Sequence, residues 1–164
     1  MNRKSIVVFD LDGTLANGKH RNHLVPKPDV AHRCDAWDEH NLASTDDLPI
    51  QDTIDVCNAL YVCYELVILT GRCEVSREIT KAWLRKHHVM YDKLIMRGRD
   101  DHRPDTVYKE EELLLLGLDN ILCCYDDLEH VADMMRGLGL TCYLVNKYNK
   151  KRVNNTNNDE WSEL

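Results

Sequence analysis

Nothing in this sequence approaches the roughly 18 consecutive apolar residues of a membrane span, and its first residues lack the long apolar segment of a secretory leader. A soluble, cytoplasmic protein without a membrane partner is expected. Cys-x-x-Cys pairs are missing among the seven cysteines, and no cysteine–histidine spacing matches a zinc site. Cys57, Cys63, Cys123, Cys124 and Cys142 lie in or beside apolar segments, which fits reduced structural thiols and not a secreted disulfide scaffold. Positive charge is also short: a formal charge of -7 excludes a broad basic face for wrapping a long nucleic acid, while leaving a few local arginines free to hold a strand end. No G-x-x-x-x-G-K-[ST] segment is present, so a P-loop kinase activity is not expected. What remains is ordinary globular composition, 43% hydrophobic and 30% charged over 164 residues, enough for one domain with a small insertion.

The most informative segment is Ile6-Val7-Val8-Phe9-Asp10-Leu11-Asp12-Gly13-Thr14-Leu15. A short, β-branched apolar run reads as a buried parallel strand. It delivers two carboxylates to its open end, where they are costly unless paired, hydrogen-bonded or metal-bound. Asp-Gly is also a common turn signal, so the segment gains its meaning only from complementary groups further along the chain.

Residues 16–50 are polar and irregular, with prolines at 26, 28 and 49, and read as an inserted flap above the strand end. A helix is expected over 51–63 and a strand over Leu66-Val67-Ile68-Leu69, stopping at Thr70-Gly71-Arg72. The spacing of Val75, Ile79, Ala82, Trp83 and His87 predicts a helix over 74–88, with Trp83 a core anchor. A short strand around Lys93-Leu94-Ile95-Met96 ends in Arg97-Gly98-Arg99; a helix over 107–116 carries Lys109 near its start and apolar Leu113 to Leu116. Asn120 to Tyr125 reads as a buried strand delivering Asp126-Asp127, followed by a helix over 128–138 and a strand over 141–145. This alternation predicts an α/β fold, a mostly parallel sheet covered on both faces in three layers. The domain is expected to span residues 1–148, and residues 149–164 to form a flexible polar tail on which Trp161 and Leu164 are docking candidates.

Ligands of parallel sheets gather beyond the C-terminal strand ends, which is where Asp10, Thr70, Arg97 and Asp126 fall. Asp10 suits attack on phosphorus, and Asp12 suits protonation of the leaving oxygen followed by activation of water. Thr70 with the amides of Gly71 and Arg72, reinforced by a following helix start, suits non-bridging phosphate oxygens. Lys109 offers a compact positive charge, with an ordinary surface lysine as the bland alternative. Asp126 and Asp127 crowd more negative charge against Asp10 and Asp12, which a hard divalent cation relieves. Mg²⁺ is expected, held by Asp10 and by Asp126 or Asp127, with the Asp12 carbonyl as a further ligand. His20, His23, His32 and His40 lie in irregular polar sequence and are not read as metal ligands.

In Asp10-Leu11-Asp12-Gly13-Thr14, Thr70, Lys109 and Asp126-Asp127, taken in order, the chain resembles the haloacid dehalogenase-like (HAD) phosphatase superfamily. The resemblance implies a Rossmann-like core, a phosphoaspartyl intermediate on Asp10, Asp12 as general acid/base, and Mg²⁺ as cofactor. More narrowly, Ile68-Leu69-Thr70-Gly71-Arg72, Thr80 to Leu84, Met96-Arg97 and Val107-Lys109-Glu110-Glu111 are similar to the 3'-phosphatase domain of bacteriophage polynucleotide kinase. It implies substrate contacts for Arg72 and Arg97. Thr70 stands where that family often has serine, keeping the hydroxyl, and Leu128 where it commonly has arginine.

A polynucleotide 3'-phosphate end is therefore the leading substrate, with Arg99, His102 and Arg103 as candidates for neighbouring phosphates. The alternative is a 5'-nucleotidase acting on (deoxy)nucleoside monophosphates, the insertion closing over a base that stacks on Trp37 or Tyr125. A non-catalytic phosphate-binding or assembly protein is the reading from a different class.

Overall fold

The computed structural model describes residues 5–145. The expected domain boundary at 148, the tail, Trp161 and Leu164 lie outside them.

Five parallel strands form the central sheet: β1 (Ile6–Phe9), β4 (Glu65–Cys73), β5 (Lys93–Arg97), β6 (Ile121–Asp126) and β7 (Cys142–Leu144). Their spatial order is β5-β4-β1-β6-β7, so β1 is central and the chain reverses direction across the sheet between β1 and β6. That reversal opens a crevice at the strand ends, the position at which such sheets bind ligands.

Period-two alternation sends β1 to two cores. Ile6 and Val8 join Val67, Leu69 and Cys124 under α4 (Asp105–Leu116) and α5 (Glu129–Gly137), contributed by Tyr108, Leu113, Val131, Ala132 and Met135. Val7 and Phe9 join Leu66 and Ile68 under α2 (Gln51–Tyr61) and α3 (Arg77–Lys86), contributed by Ile54, Cys57, Trp83 and Leu84. The result is the expected three-layer α/β fold. Each fully buried apolar side chain contributes about 1.5–3 kcal/mol, and Phe9→Ala at the sheet centre costs about 3–5 kcal/mol.

The insertion follows β1 and has its own closure. Ala16–Asn17 (β2) pairs antiparallel with Leu48–Pro49 (β3), and between them run 3₁₀ turns and the short helix α1 (Asp38–Leu42). Among the described residues no helix is long and apolar enough to cross a membrane.

Three expectations need correction. β4 does not stop at Thr70; it continues to Cys73, pairing Cys73 with Arg97 across an irregularity in the β4–β5 register. A 3₁₀ turn at Glu74–Ser76 follows, α3 begins only at Arg77, and Val75 is exposed and not part of the core face. No helix start adjoins Thr70 to reinforce an anion site.

Candidate active site

Asp10 remains in the sheet ladder, its amide donating to the Tyr125 carbonyl at 2.9 Å. The chain then curls tightly, with the Leu15 and Ala16 amides donating to the Leu11 carbonyl at 2.9 and 2.8 Å. Gly13 makes the curl possible: its φ is +85°, and a Cβ there would lie 2.0 Å from Asp127 Oδ2. The glycine therefore admits both the turn and the carboxylate against it.

Behind this curl lies an anionic cluster. Single ligand oxygens of Asp10, Asp126 and Asp127 lie within 4.8 Å of one another. Lys109, almost fully buried, donates to Asp10 Oδ1 at 2.9 Å and to Asp126 Oδ2 at 2.8 Å, with Asp105 Oδ2 at 3.4 Å. Burial raises the Asp10 carboxyl well above its ordinary range; Lys109 opposes the rise, while Asp126 and Asp127 add to it. Burial and Asp126 likewise push Asp127 up to about 6. Burial works against the Lys109 charge, but Asp10, Asp105 and Asp126 outweigh it and raise the ammonium well above its usual value. Among the described residues, one ammonium against three clustered carboxylates leaves negative charge in excess, and the buried Asp127 Oδ1 has no hydrogen-bond partner. An all-oxygen, charge-deficient donor set with an orphaned buried oxygen fits a hard divalent cation such as Mg²⁺.

In front of the curl, Asp12 belongs to a different cluster. Arg72 donates to both its oxygens at 2.8 and 2.7 Å, and Arg21 donates to Oδ1 at 2.5 Å. Both guanidiniums also hold Asp47, Arg21 at 2.7 and 2.8 Å and Arg72 at 2.6 Å. Burial opposes the Asp12 charge, but Arg72 and Arg21 outweigh it and hold the carboxyl well below the usual carboxylate range. The Trp83 indole N–H donates to the Asp47 carbonyl at 2.8 Å, so the core anchor of α3 also fixes the end of the insertion. Arg21 Nη1 donates to His40 Nδ1 at 2.7 Å.

Thr70 is buried, and its Oγ1 accepts the Arg72 amide at 3.1 Å, which leaves its own hydroxyl hydrogen available. Arg97, expected to contact substrate, spends its donors on the Gly71 carbonyl (3.3 Å), the Arg103 carbonyl (2.6 Å) and Asp105 (2.8 Å), and lies over the Tyr108 ring. A Cβ on Gly71 would lie 2.6 Å from Asp105 Oδ1, so a side chain there would have to push the Asp105 carboxylate off its bond to Arg97. Asp10, Asp12, Thr70, Gly71, Arg72, Arg97 and Lys109 all line one cavity of about 630 Å³, which the insertion and the 98–104 loop extend. Asp126 and Asp127 lie behind it.

Sequence reasoning missed Arg21, Asp47 and Asp105. Asp105 carried a signal, an acid in the first helical turn four residues before Lys109. The Arg21–Asp47 pair carried none, because both lie in aperiodic sequence and meet only through the fold. Tyr125 cannot serve as a base platform: its ring is stacked on Phe9 at 4.3 Å and packed against Tyr143.

Comparison with curated protein sequences returns no match. Two solved structures, of the Pnkp1/Rnl/Hen1 complex and of the Pnkp1/Rnl/Hen1 RNA repair complex, contain chains 29% identical to this one. Their TM-scores are 0.72 and 0.71, covering 88% and 92% of this chain. This chain spans only 47% and 45% of theirs, slightly under half of each. A HAD family enzyme of Bacteroides thetaiotaomicron, solved with magnesium and inorganic phosphate, shares the fold at 13% identity and a TM-score of 0.58, over 92% of this chain and 98% of its own. The sequence matches the polynucleotide kinase PNKP phosphatase domain over residues 4–149. With the strand-end carboxylates, the buried lysine and the metal-competent cluster all inside that match, this chain belongs to the PNKP phosphatase-domain family, a branch of the Mg²⁺-dependent HAD-type phosphatases.

Proposed function

We propose that this protein removes the 3'-phosphate from polynucleotide ends, with Asp10 as nucleophile. The observation that carries the reading is the Asp10 carboxylate at the cavity floor, one oxygen tied to Lys109 at 2.9 Å and Asp12 two residues further on. The family match and the two RNA-repair relatives support the choice of substrate end.

The cycle begins with Asp12 protonated. An Asp10 oxygen attacks phosphorus, the bond to the 3'-oxygen breaks, and that oxygen leaves as a hydroxyl by taking the Asp12 proton. Asp12, now ionised, accepts a proton from the water that attacks the phosphoaspartate, which releases phosphate and restores both carboxyl groups. Arg72 and Arg21 stabilise the ionised, base-competent form of Asp12, so substrate entry must loosen one of them for the acid half of the cycle. The Thr70 hydroxyl and the Gly71 amide bind non-bridging oxygens in this reading, the Arg72 amide being held by Thr70 Oγ1, and Lys109 offsets their charge. Asp10, Asp126 and Asp127 would hold Mg²⁺, which supplies charge neutralisation for the transferring phosphoryl group.

The test is phosphate release, with Mg²⁺ or with chelator, from oligonucleotides carrying a phosphate at only the 3' or only the 5' end, and from nucleoside 5'-monophosphates. Preference for the 3'-phosphate, lost in Asp10→Asn, is the expected result. Preference for the 5'-monophosphates would move the assignment to a nucleotidase.

A further inference from the structure

The cavity extends well beyond the phosphate end, and two independent features describe what that extension recognises. The first is Trp37, at the end of the 3₁₀ turn Cys34–Trp37, which lines the cavity that Asp10 floors. Its only polar group is spent, since the indole N–H donates to the Ala31 carbonyl at 2.8 Å, so what it offers the cavity is carbon ring surface. The turn that carries it is pinned across the cavity mouth: the Cys34 amide donates to His102 Nδ1 at 3.0 Å and the Cys34 thiol to the Gly98 carbonyl at 3.7 Å. On the other side, His40 packs edge-on against the indole at 5.3 Å and 85°. A flat apolar surface held in a fixed place suits the face of a nucleobase.

The second feature is the state of the nearby arginines. Arg99 is bound bidentately by Asp38 at 3.0 and 2.7 Å. Arg103 is bound by Asp101 at 2.9 and 2.6 Å and also by Glu111. Arg33 is bound by Asp35 through both Nε and Nη2, and Arg97 is consumed internally. A backbone phosphate arriving at any of these would have to displace a carboxylate and then sit beside it. The loop expected to track neighbouring phosphates is therefore charge-balanced.

We infer that the enzyme recognises its substrate through the terminal nucleoside, whose base stacks on Trp37, and makes almost no charged contact with the rest of the polynucleotide. The inference rests on the end-processing reading and narrows it.

The experiment compares thymidine 3'-phosphate, a 3'-phosphorylated 12-mer, and the same 12-mer ending in an abasic 3'-phosphate, at 50 and 200 mM NaCl. The expected result is a kcat/KM for the mononucleotide within about tenfold of the 12-mer, and a salt dependence that hardly changes with length, because each phosphate contact to a single strand would add about 0.7 to the log–log slope. Trp37→Ala should lower kcat/KM for the base-bearing 12-mer by about 5- to 150-fold, the range that corresponds to about 1–3 kcal/mol per stacked base, mostly through KM. It should leave the abasic substrate nearly unchanged, and Trp37→Phe should recover most of the loss. Equal losses on the base-bearing and abasic 12-mers in a Trp37→Ala protein that keeps its thermal transition, or no recovery in Trp37→Phe, would overturn the platform. So would a 12-mer hydrolysed with steep salt dependence alongside an inert mononucleotide, and that result would leave the 3'-phosphatase reading standing. Inert 3'-phosphates alongside active 5'-monophosphates would overturn the end-processing reading instead. The platform would then be decided by whether Trp37→Ala discriminates thymidine 5'-monophosphate from base-less ribose 5-phosphate.

Discussion

Asp10 and Asp12 lie two residues apart on one strand end, yet their carboxyl groups sit in opposite electrostatic surroundings. Behind the Gly13 curl, three carboxylates with clustered oxygens and the nearby Asp105 share one ammonium, and the carboxyl groups of Asp10 and Asp127 are pushed up. In front of it, Asp12 and Asp47 share two guanidiniums, and Asp12 is pushed down. The difference separates the part of the site that is open to a ligand from the part that braces its acid/base. An ion cluster whose charges cancel inside the protein is complete and holds parts together, whereas one left with excess charge invites a ligand of the opposite sign.

The largest expected effect comes from removing the reacting oxygen of the unbalanced cluster. Asp10→Asn should reduce phosphate release by at least about 10³-fold while the chain stays folded, as judged by circular dichroism and the thermal transition. Retained turnover would remove Asp10 from the nucleophile's place.

Next, Lys109→Met takes the only ammonium from the anionic cluster, and removing one partner of a buried ion pair costs about 3–5 kcal/mol. Urea unfolding with chelator should show that loss, and saturating Mg²⁺ should recover part of it, because the cation supplies the missing charge. Asp47→Ala should cost about 3 kcal/mol through two under-neutralised guanidiniums, with no recovery by Mg²⁺. Equal rescue of both variants would erase the distinction between the clusters. For the unmodified protein, Mg²⁺ at 100 times its dissociation constant should add about 2.7 kcal/mol, read as a rise in Tm.

The smallest effect is a pH dependence of the brace. Burial, followed by the charge of Arg21, lowers His40 to about 4 from an ordinary value near 6.5. A folded-state pKa below the unfolded one means that the unfolded chain binds the proton more readily between these values. His40 thus contributes stability that is present above about pH 6.5 and lost as pH falls towards 4. His40→Gln should flatten that part of the stability profile, by about 1 kcal/mol after allowing for the partial solvent exposure of the ring. Identical profiles for the two proteins would exclude His40 as a titrating member of the brace.

The unbalanced cluster was legible in the sequence and the brace was not. Asp10, Asp126 and Thr70 follow apolar runs whose burial on both sheet faces makes their ends easy to locate, and Lys109 stands at fixed spacing in a helix. Even there, Thr70-Gly71-Arg72 read as the end of the strand although β4 runs through it, because glycine and arginine carry no strand signal and the pairing of Cys73 with Arg97 is set by the neighbouring strand. Arg72 was visible as a candidate but assigned to substrate, since its partners Asp12 and Asp47 lie 60 and 25 residues away. Arg97 shows the same ambiguity: a guanidinium at a strand end is equally ready for a phosphate or for the carbonyls and carboxylate that it holds here, and the sequence names only the first.

The paired strands Ala16–Asn17 and Leu48–Pro49 make the insertion an excursion that leaves and rejoins the chain at one point. Its two braced residues sit near that point, Arg21 shortly after the exit and Asp47 immediately before the return. An evolving lineage can therefore rewrite much of residues 22–46, Trp37 included, without disturbing the register of β1, provided it keeps the arginine and aspartate at the threshold and a partner for Arg21 where His40 stands. Chemistry and clientele are then inherited separately: the reaction with the sheet, the choice of substrate with an exchangeable cassette.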